Sequence, residues 1–186
     1  MTVGCTRHIT SLDRPMISTS PATRAELFAY LDRLSIKAST VEHTAVFTVA
    51  ESDALGRDIP GGHTKNLFLK DAKDQLVLVI AQAHTAIDLK SLHKALGYAR
   101  FSFGRAELLM EVLGVPPGSV TAFSLINDRS RRVAVVVDAA LMDYDAINCH
   151  PLVNTATTTV ARDDLIAFIR ATGHEPQIAN IAAIPA

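Results

Sequence analysis

Three short segments of the sequence carry residue types that can hold a phosphate or act on a carbonyl group. In the first, Gly61–Asn66 (GGHTKN), the glycine pair permits close approach of the backbone to a ligand, and Lys65 can meet a phosphate as a point charge. The segment is not a Walker loop, because the GxxxxGK[ST] order is absent and no helix is predicted to follow. An exposed turn with a solvated lysine, immediately before a strand, is the structural alternative.

The second segment, Asn148–Thr159, places a histidine, asparagines and several hydroxyl groups at a turn between apolar stretches. Histidine titrates near neutral pH, so His150 suits proton transfer, and an asparagine can orient a substrate carbonyl. Alternatively, His150 precedes a proline and only organises the turn. Cys149 lies in a predicted strand, where a thiol is typically an inert core group and not a nucleophile.

The third segment, Gly114–Val120 (GVPPGSV), predicts a turn whose free amides can form a nest for an oxyanion; a plain loop is the alternative. The remaining histidines show neither HxxxH nor HExxH spacing, so no metal site is predicted. No GxSxG elbow is present, and a serine-hydrolase triad is therefore unsupported.

Helix signals flank the strand signals that must position these segments. A capping box at Thr23–Glu26 predicts a helix start, and Thr48–Glu51 repeats the pattern before a short helix that ends near Gly56. Asp88 caps a helix that runs through Leu96 to Gly97. Two further helices are predicted over Glu107–Leu113, before Gly114, and over Asp163–Ala171, before Gly173.

Strand signals dominate the middle of the chain. Leu67–Leu69 and Leu76–Ile80 are separated by a polar turn and predict a hairpin. Further strands are predicted over Val120–Ile126, Val133–Val137 and Thr155–Val160. Strands and helices interleave without an internal repeat, so we expect an α/β or α+β fold with a mixed sheet and surrounding helices. We expect a single domain over residues 21–186, preceded by a loose leader over residues 1–20.

The composition limits the possible partners. The 186 residues carry a net charge of −1, which argues against a protein that coats DNA, because each phosphate contact requires a lysine or arginine. A local basic patch that contacts a few phosphates stays compatible with this charge. The two cysteines form no CxxC pair, and neither a signal peptide nor a membrane span is evident. We therefore expect a cytoplasmic protein with no membrane partner.

In combination, four strings of the sequence resemble a known family. KNLFLKD (65–71), GSVT (118–121), LIND (125–128) and HPLVNT (150–155) stand in the order seen in the YbaK-like family. That family includes the editing domain inserted in bacterial prolyl-tRNA synthetases and its free-standing relatives. The resemblance runs from about Thr23 to Ile181 and is closest to the free-standing alanyl-tRNA(Pro) deacylases of the ProX or PrdX type. Ala122 stands where many relatives have proline.

The resemblance implies a YbaK-like editing-domain fold and an aminoacyl-tRNA deacylase that hydrolyses the ester of mischarged tRNA(Pro), with Ala-tRNA(Pro) as the expected substrate. Lys65 resembles the essential lysine of the family, where it would anchor the terminal adenosine or its phosphate. Amides near Gly118 and Ser119 would face the carbonyl, and His150 would act at the amino-acid end or hold water. The other expected substrate-binding residues are Asn66, Asn154 and Thr155. No cofactor and no metal is expected.

The expected partner is the single-stranded CCA end of tRNA(Pro) together with acceptor-stem phosphates, and a prolyl-tRNA synthetase is a further candidate partner. The basic residues that could contact the stem are Lys70, Lys73, Lys94, Arg129, Arg131 and Arg132. Two alternatives are also compatible with the sequence. One is a Cys-tRNA(Pro) deacylase of the same fold, and the other is a non-catalytic module that binds tRNA or a nucleotide.

Overall fold

The computed structural model describes residues 20–45 and 59–182, and within these ranges eight strands form one mixed sheet. The strands are β1 (Ala38–Glu42), β2 (Gly62–Asp71), β3 (Leu76–Gln82), β4 (Phe101–Phe103), β5 (Val133–Asp138), β6 (Ala146–Cys149), β7 (Ala156–Ala161) and β8 (Pro176–Ala179). Their order across the sheet is β1-β7-β6-β2-β3-β5-β8, and β4 pairs with β2 outside this path. The predicted mixed sheet is confirmed.

The sheet combines tight antiparallel pairs with parallel crossovers. The predicted hairpin joins β2 to β3 in antiparallel register, with Lys65 opposite Ala81. β5 runs parallel to β3, and β8 runs parallel to β5. β6 runs parallel to the first two residues of β2, and β4 runs antiparallel to the last three.

Helices cover both faces of the sheet. They are α1 (Arg24–Arg33), α2 (Leu89–Ala95), α3 (Ala106–Leu113) and α4 (Arg162–Ala171), with 3₁₀ turns at Ala122–Asn127 and Ala139–Asp143. The side chains of β3 alternate between two buried clusters, as the period of a strand requires. Leu78 and Ile80 pack with α1, α3 and α4 on what we call the three-helix face. Val79 and Ala81 pack with α2 on the α2 face.

The helix ends follow the signals in the sequence. Thr23 and Glu26 form both hydrogen bonds of the predicted capping box at the start of α1. The Asp88 side chain accepts a hydrogen bond from the N–H of Lys90 at the start of α2. α3 ends at Gly114, which adopts a left-handed φ of +65° that a side chain would disfavour.

One predicted strand is wrong. Residues 122–127 form a 3₁₀ turn where the apolar pattern of Val120–Ile126 predicts a strand. The Thr121 side chain accepts a hydrogen bond from the N–H of Phe123, and the Ser124 hydroxyl donates to the Thr121 carbonyl. These local bonds satisfy the backbone without a neighbouring strand. Because Ala122 to Leu125 are all buried, hydrophobic periodicity cannot distinguish a turn from a strand here.

Three strands carry too little signal to be predicted. β1 is mostly exposed, β4 has three residues, and β8 begins with a proline at the sheet edge. The predicted helix near Thr48–Gly56 lies outside the described residues, as does nearly all of the predicted leader. No helix in the described ranges is long and apolar enough to cross a membrane.

A buried ionic network fixes the start of β5. The Asp128 carboxylate accepts hydrogen bonds from the N–H groups of Arg132 and Val133, and from Nε2 of His174 at 3.1 Å. Burial by itself raises the pKa of the Asp128 carboxyl group, but the bonds from His174, Arg132 and Val133 outweigh it and lower the pKa. The carboxylate therefore stabilises the fold in its charged form.

We expect Asp128→Asn to lower the free energy of unfolding by about 3 kcal/mol at pH 7, because the amide replaces one of the two acceptor oxygens with an NH2 donor and leaves a buried donor without a partner. Since the folded pKa of Asp128 is lowered, the stabilisation is present above the ordinary carboxyl pKa and is lost as pH falls through the folded value. Urea unfolding at several pH values checks this. The difference from the unsubstituted protein should narrow below about pH 4, and a constant difference would contradict the network.

As a control, Glu111→Gln removes one partner of the solvent-exposed ion pair between Glu111 and Arg132. This variant should change the free energy of unfolding by less than about 1 kcal/mol.

Candidate active site

The edge of β2 that faces away from β3 changes partner along its length. β6 pairs with Gly62 and His63, and β4 pairs with Leu69 to Asp71. Between them, neither strand pairs with residues 64–68 of β2. We call this interrupted edge, from Thr64 to Phe68, the notch.

Asn66 presents its backbone to the notch. Odd-numbered residues of β2 direct their N–H and C=O groups to β3: Asp71 N–H donates to Gln75 O at 2.9 Å. Even-numbered residues therefore point the other way, as in the 2.9 Å bond from Gly104 N–H to Phe68 O. Both backbone groups of Asn66 consequently face the notch, where no strand of residues 20–45 and 59–182 pairs with them.

The Asn66 side chain carries an unsatisfied acceptor. It lies on the three-helix face, since it alternates in step with Phe68, and its Nδ2 is 3.5 Å from the Thr64 hydroxyl. Its Oδ1 atom is buried and has no hydrogen-bond partner among the described residues. Buried polar atoms are normally paired, so this oxygen is suited to receive a donor from a bound molecule.

Lys65 lies on the opposite face from its neighbour Asn66. It stands across from Ala81 on the α2 face, and its Nζ donates to the Thr85 carbonyl at 2.5 Å. Burial lowers the pKa of the Lys65 ammonium group, and the negative charge of Asp138 partly offsets that shift. Lys65 is therefore a half-buried cation whose ammonium group is bound by a carbonyl. It is not the solvated lysine of an exposed turn.

His150 follows β6 at the border of the notch. The Thr64 hydroxyl lies 3.7 Å from Cys149 Sγ, so the next residue, His150, follows where β6 leaves the edge of β2. The His150 ring is 6.4 Å from that of His43, which contacts the Thr157 hydroxyl. Val160 of the same strand packs in the three-helix cluster, so Thr157, three residues earlier, faces the other side of the sheet. Burial lowers the pKa of His150, and the neighbouring His43 adds to this shift, while a hydrogen bond to Ala156 opposes it.

The tautomer of the His150 ring follows from its contact with the Ala156 carbonyl. Nδ1 lies 3.1 Å from the Ala156 carbonyl, which can only accept, so Nδ1 carries the proton in the neutral ring. Nε2 is then an acceptor. A neutral imidazole held in one tautomer is the form that can take a proton from water.

The predicted oxyanion loop lies on the three-helix side of the sheet, because Val115 and Ala122 on either side of it belong to that cluster. Gly118 adopts φ +87°, as the predicted turn requires. The Ser119 N–H closes this turn by donating to the Pro116 carbonyl at 3.1 Å. The Gly118 amide and the buried Ser119 hydroxyl are therefore the groups that could meet a carbonyl.

The predicted site residues thus divide between the two faces. Lys65 and His150 lie toward the α2 face, whereas Asn66 and the Gly118–Ser119 loop belong to the three-helix side. Asn154 and Thr155 lie in the connection from β6 to β7, and the Thr155 carbonyl accepts the N–H of His43. The notch is the break in the sheet between these groups.

The glycine pair before Lys65 has a packing role. The strand begins at Gly62, so all of the segment except Gly61 lies inside β2 and not in a turn before it. A Cβ at Gly61 would lie 2.7 Å from the Ala146 carbonyl, and one at Gly62 would lie 2.8 Å from the Tyr144 ring. The glycines therefore permit the close approach of β2 to β6.

Two residues near Lys65 were not identified from the sequence. Asp138 ends β5, and its carboxylate accepts a 2.6 Å hydrogen bond from the hydroxyl of Thr85. An acidic residue directly after the apolar run Val133–Val137 is the signal that could have found it, because ligands of parallel sheets gather at the carboxyl ends of strands. No comparable signal marks Thr85.

The chain resembles known proteins in sequence and in fold. The family model described as the aminoacyl-tRNA editing domain matches residues 43–168. Prolyl-tRNA synthetase associated domain-containing protein 1 of Danio rerio is 38% identical over 157 residues, covering 83% of this chain and 85% of its own. The prolyl-tRNA editing protein ProX of Acetoanaerobium sticklandii is 34% identical over 149 residues, covering 80% of this chain and 91% of its own.

A solved structure of a candidate trans-editing enzyme for prolyl-tRNA synthetase superposes with a TM-score of 0.66. It covers 89% of this chain and 100% of its own, at 20% sequence identity. At this identity the likeness establishes the fold alone, which is the one expected from the sequence.

We expect Cys149 to be unreactive in the folded protein. It is buried, and burial raises the pKa of its thiol to about 12, so almost no thiolate forms near neutral pH. In a Cys5→Ser variant, which removes the other thiol, a thiol-reactive disulfide should label Cys149 only after urea unfolds the chain. Rapid labelling of the folded variant would contradict the burial and reopen a role for this thiol.

Proposed function

The chain belongs to the aminoacyl-tRNA editing domain family, and we propose that it hydrolyses the ester of mischarged tRNA(Pro), with Ala-tRNA(Pro) as the substrate. The names of the two relatives, which refer to prolyl-tRNA editing and to prolyl-tRNA synthetase, support this choice of tRNA. The observation that carries the proposal is the notch: the buried Asn66 Oδ1 has no hydrogen-bond partner among the described residues, and Lys65 and His150 border the same break in the sheet.

An aminoacyl ester makes modest demands on its enzyme. It is already activated, so the protein need only position water, polarise the carbonyl and stabilise the oxyanion that develops. The inert Cys149 thiol is consistent with attack by water and without an acyl-enzyme. The water oxygen bonds to the carbonyl carbon, the carbon–oxygen bond to the ribose breaks, and the ribose oxygen leaves with a proton.

We assign the nucleotide end of the substrate to Lys65. Its ammonium group is a point charge of the kind that binds a phosphate, and the Thr85 carbonyl holds it in place. On this assignment, the terminal adenosine lies on the α2 face and the aminoacyl ester reaches into the notch.

Asn66 and the Gly118 loop are assigned to the ester and the amino group. Asn66 Oδ1 is buried and lacks a donor, which suits the α-ammonium group of the amino acid. The Asn66 N–H in the notch and the Gly118 amide are the donors proposed for the developing oxyanion.

His150 is assigned to the water. Its Nε2 takes a proton from the attacking water and returns it to the leaving ribose oxygen. Asn154 and Thr155, in the connection after His150, would line the amino-acid end. The ribose 2′-hydroxyl beside the ester is a second group that can assist the proton transfers.

The choice of amino acid follows from size. A pocket that fits a methyl side chain excludes the proline ring by overlap, so correctly charged tRNA(Pro) should survive. A smaller side chain cannot be rejected strongly, since one missing methyl group is worth only about 1–3 kcal/mol. Ala122, where many relatives have proline, is buried on the three-helix face and can influence the shape of this pocket.

The acceptor stem is assigned to one end of the sheet. Lys70 and Lys73 lie at the hairpin between β2 and β3, and Arg129, Arg131 and Arg132 precede β5 at the same end. Lys70 is five residues from Lys65, or about 17 Å along the strand. Four stacked nucleotides span roughly 14 Å and extend further when unstacked, so the single-stranded end can bridge this distance.

The proposal predicts a specific pattern of deacylation. The protein should hydrolyse Ala-tRNA(Pro), act more slowly on Gly-tRNA(Pro), and spare Pro-tRNA(Pro). Lys65→Ala should abolish most of this activity while lowering the free energy of unfolding by only about 1 kcal/mol, because the substitution removes the hydrogen bond from Lys65 Nζ to the Thr85 carbonyl. Lys90→Ala, which removes an exposed lysine of α2, is the control and should retain the rate.

Three outcomes of this assay would contradict the proposal. Faster hydrolysis of Cys-tRNA(Pro) would assign the chain to cysteine editing. Binding of tRNA(Pro) without hydrolysis of any ester would indicate a binding module. Equal hydrolysis of Ala-tRNA(Ala), or of hybrids with exchanged acceptor stems, would refute recognition of the stem by this chain.

The assignment of His150 predicts an acidic limit to the rate. Burial lowers the pKa of His150 below its ordinary value of 6.5, so the neutral base persists at pH 6.5 and is lost only at lower pH. We expect kcat/KM for Ala-tRNA(Pro) to fall with pH below 6.5, and to be much lower and to lack this limb in His150→Gln. His93→Gln, in α2, should keep the limb. Retention of both rate and limb in His150→Gln would exclude His150 as the base.

A further inference from the structure

We propose that Asp138 and Thr85 are positioning residues that hold the Lys65 ammonium group where it meets the substrate. This inference rests on the proposed function for the identity of the substrate, but the contacts that define it are within the chain. Lys65 Nζ donates to the Thr85 carbonyl, and the Thr85 hydroxyl donates to Asp138 Oδ2 at 2.6 Å. The three residues thus form one chain of hydrogen bonds.

The register of the sheet brings these residues together. Lys65 pairs with Ala81, while Ile80, the residue before Ala81, pairs with Val137, the residue before Asp138. Lys65, Ala81 and Asp138 therefore lie side by side on the α2 face of three adjacent strands. The methyl group of Ala81 leaves room above it for the lysine and the carboxylate to approach each other.

Asp138 is itself rigidly held. The residue is 1% exposed, and its carboxylate accepts hydrogen bonds from the N–H groups of Gln82 and Ala140, at 3.1 Å each, and from the Thr85 hydroxyl. All of these partners are donors, which an acceptor-only carboxylate satisfies without conflict. Asp138 thereby fixes the turn after β3 that carries the Thr85 carbonyl.

As an electrostatic consequence, the Lys65 ammonium group stays charged although it is partly buried. Burial disfavours the ammonium form of Lys65, and the Asp138 carboxylate favours it. Because Thr85 lies between the two groups, Asp138 influences the lysine without neutralising it in a direct ion pair. The outer side of the ammonium group is then available to a phosphate.

Thr85→Val tests this arrangement most cleanly. Valine keeps the shape of threonine and removes only the hydroxyl that bonds to Asp138, whereas substituting Asp138 would also free the N–H groups of Gln82 and Ala140. We expect the KM for Ala-tRNA(Pro) to rise about fivefold with kcat within about twofold, the ratio expected for loss of one hydrogen bond. Thr85→Ser, which restores a hydroxyl, should return KM toward the unsubstituted value.

A second readout follows Lys65 without any tRNA. Trinitrobenzenesulfonate labels free amines, and mass spectrometry of the digested chain reports the labelling rate of each lysine. In the unsubstituted full chain, Lys65 should be labelled slowly. In Thr85→Val its labelling rate should rise about threefold or more, because the Thr85 carbonyl that binds it is no longer fixed. Lys90 serves as the internal control, and Ser91→Ala, which removes a hydroxyl from α2, as the control variant.

The outcomes separate this inference from the proposed function. An increase in KM together with faster labelling of Lys65, both reversed in Thr85→Ser, supports the positioning role. A fall in kcat alone with unchanged KM and labelling would indicate a structural role and overturn it, as would unchanged labelling in Thr85→Val. If the unsubstituted protein hydrolyses no charged tRNA, the proposed function fails, and the labelling rates by themselves decide whether Thr85 positions Lys65.

Discussion

The organisation of this protein depends on how one strand satisfies its backbone hydrogen bonds. β2 is fully paired on the side of β3, but its other edge is shared between β6 at the start and β4 at the end. Among residues 20–45 and 59–182, no strand pairs with this edge of β2 around Asn66. An unpaired N–H and C=O inside a sheet is costly unless another partner is supplied. In this fold the notch lies beside Lys65, the His150 imidazole and the buried amide oxygen of Asn66, and we propose it as the place where the substrate binds.

Packing on both faces keeps this opening in a fixed position. The three-helix cluster and the α2 cluster bury alternate side chains of β3 and β5, so the central strands cannot slip by one residue without exposing one set. At the start of β2, Gly61 and Gly62 allow Ala146 and Tyr144 to approach too closely for any side chain. The register of β6 against β2 places His150 beside the notch. This register therefore requires glycine, which has no side chain, at both positions.

The surroundings of each titratable side chain in the site set its charge. Lys65 is held by a carbonyl and faces Asp138 through Thr85, which keeps a half-buried cation charged. His150 is kept neutral by burial, and its tautomer is set by the Ala156 carbonyl. Cys149, the nearest nucleophile by residue type, is disabled by the same burial. These environments suit a reaction in which water attacks an activated ester and the protein supplies orientation and electrostatic support.

Local signals in the sequence determined a large part of the fold. Capping at Thr23 and Asp88, the glycines after the helices, and the apolar runs of β3 and β5 each act over a few residues, and their predictions are confirmed. The sequence strings around Lys65 and His150 were also sufficient to indicate the family. The 3₁₀ turn at 122–127 escaped prediction because every residue in its first part is buried, and periodicity then carries no information.

Tertiary structure alone decided which face each site residue occupies. Lys65 and Asn66 are adjacent in sequence yet point to opposite faces, because side chains alternate along a strand. The partnership of Lys65 with Thr85 and Asp138 could not be predicted either, because it depends on the register of three strands. That register arises from packing across the whole sheet.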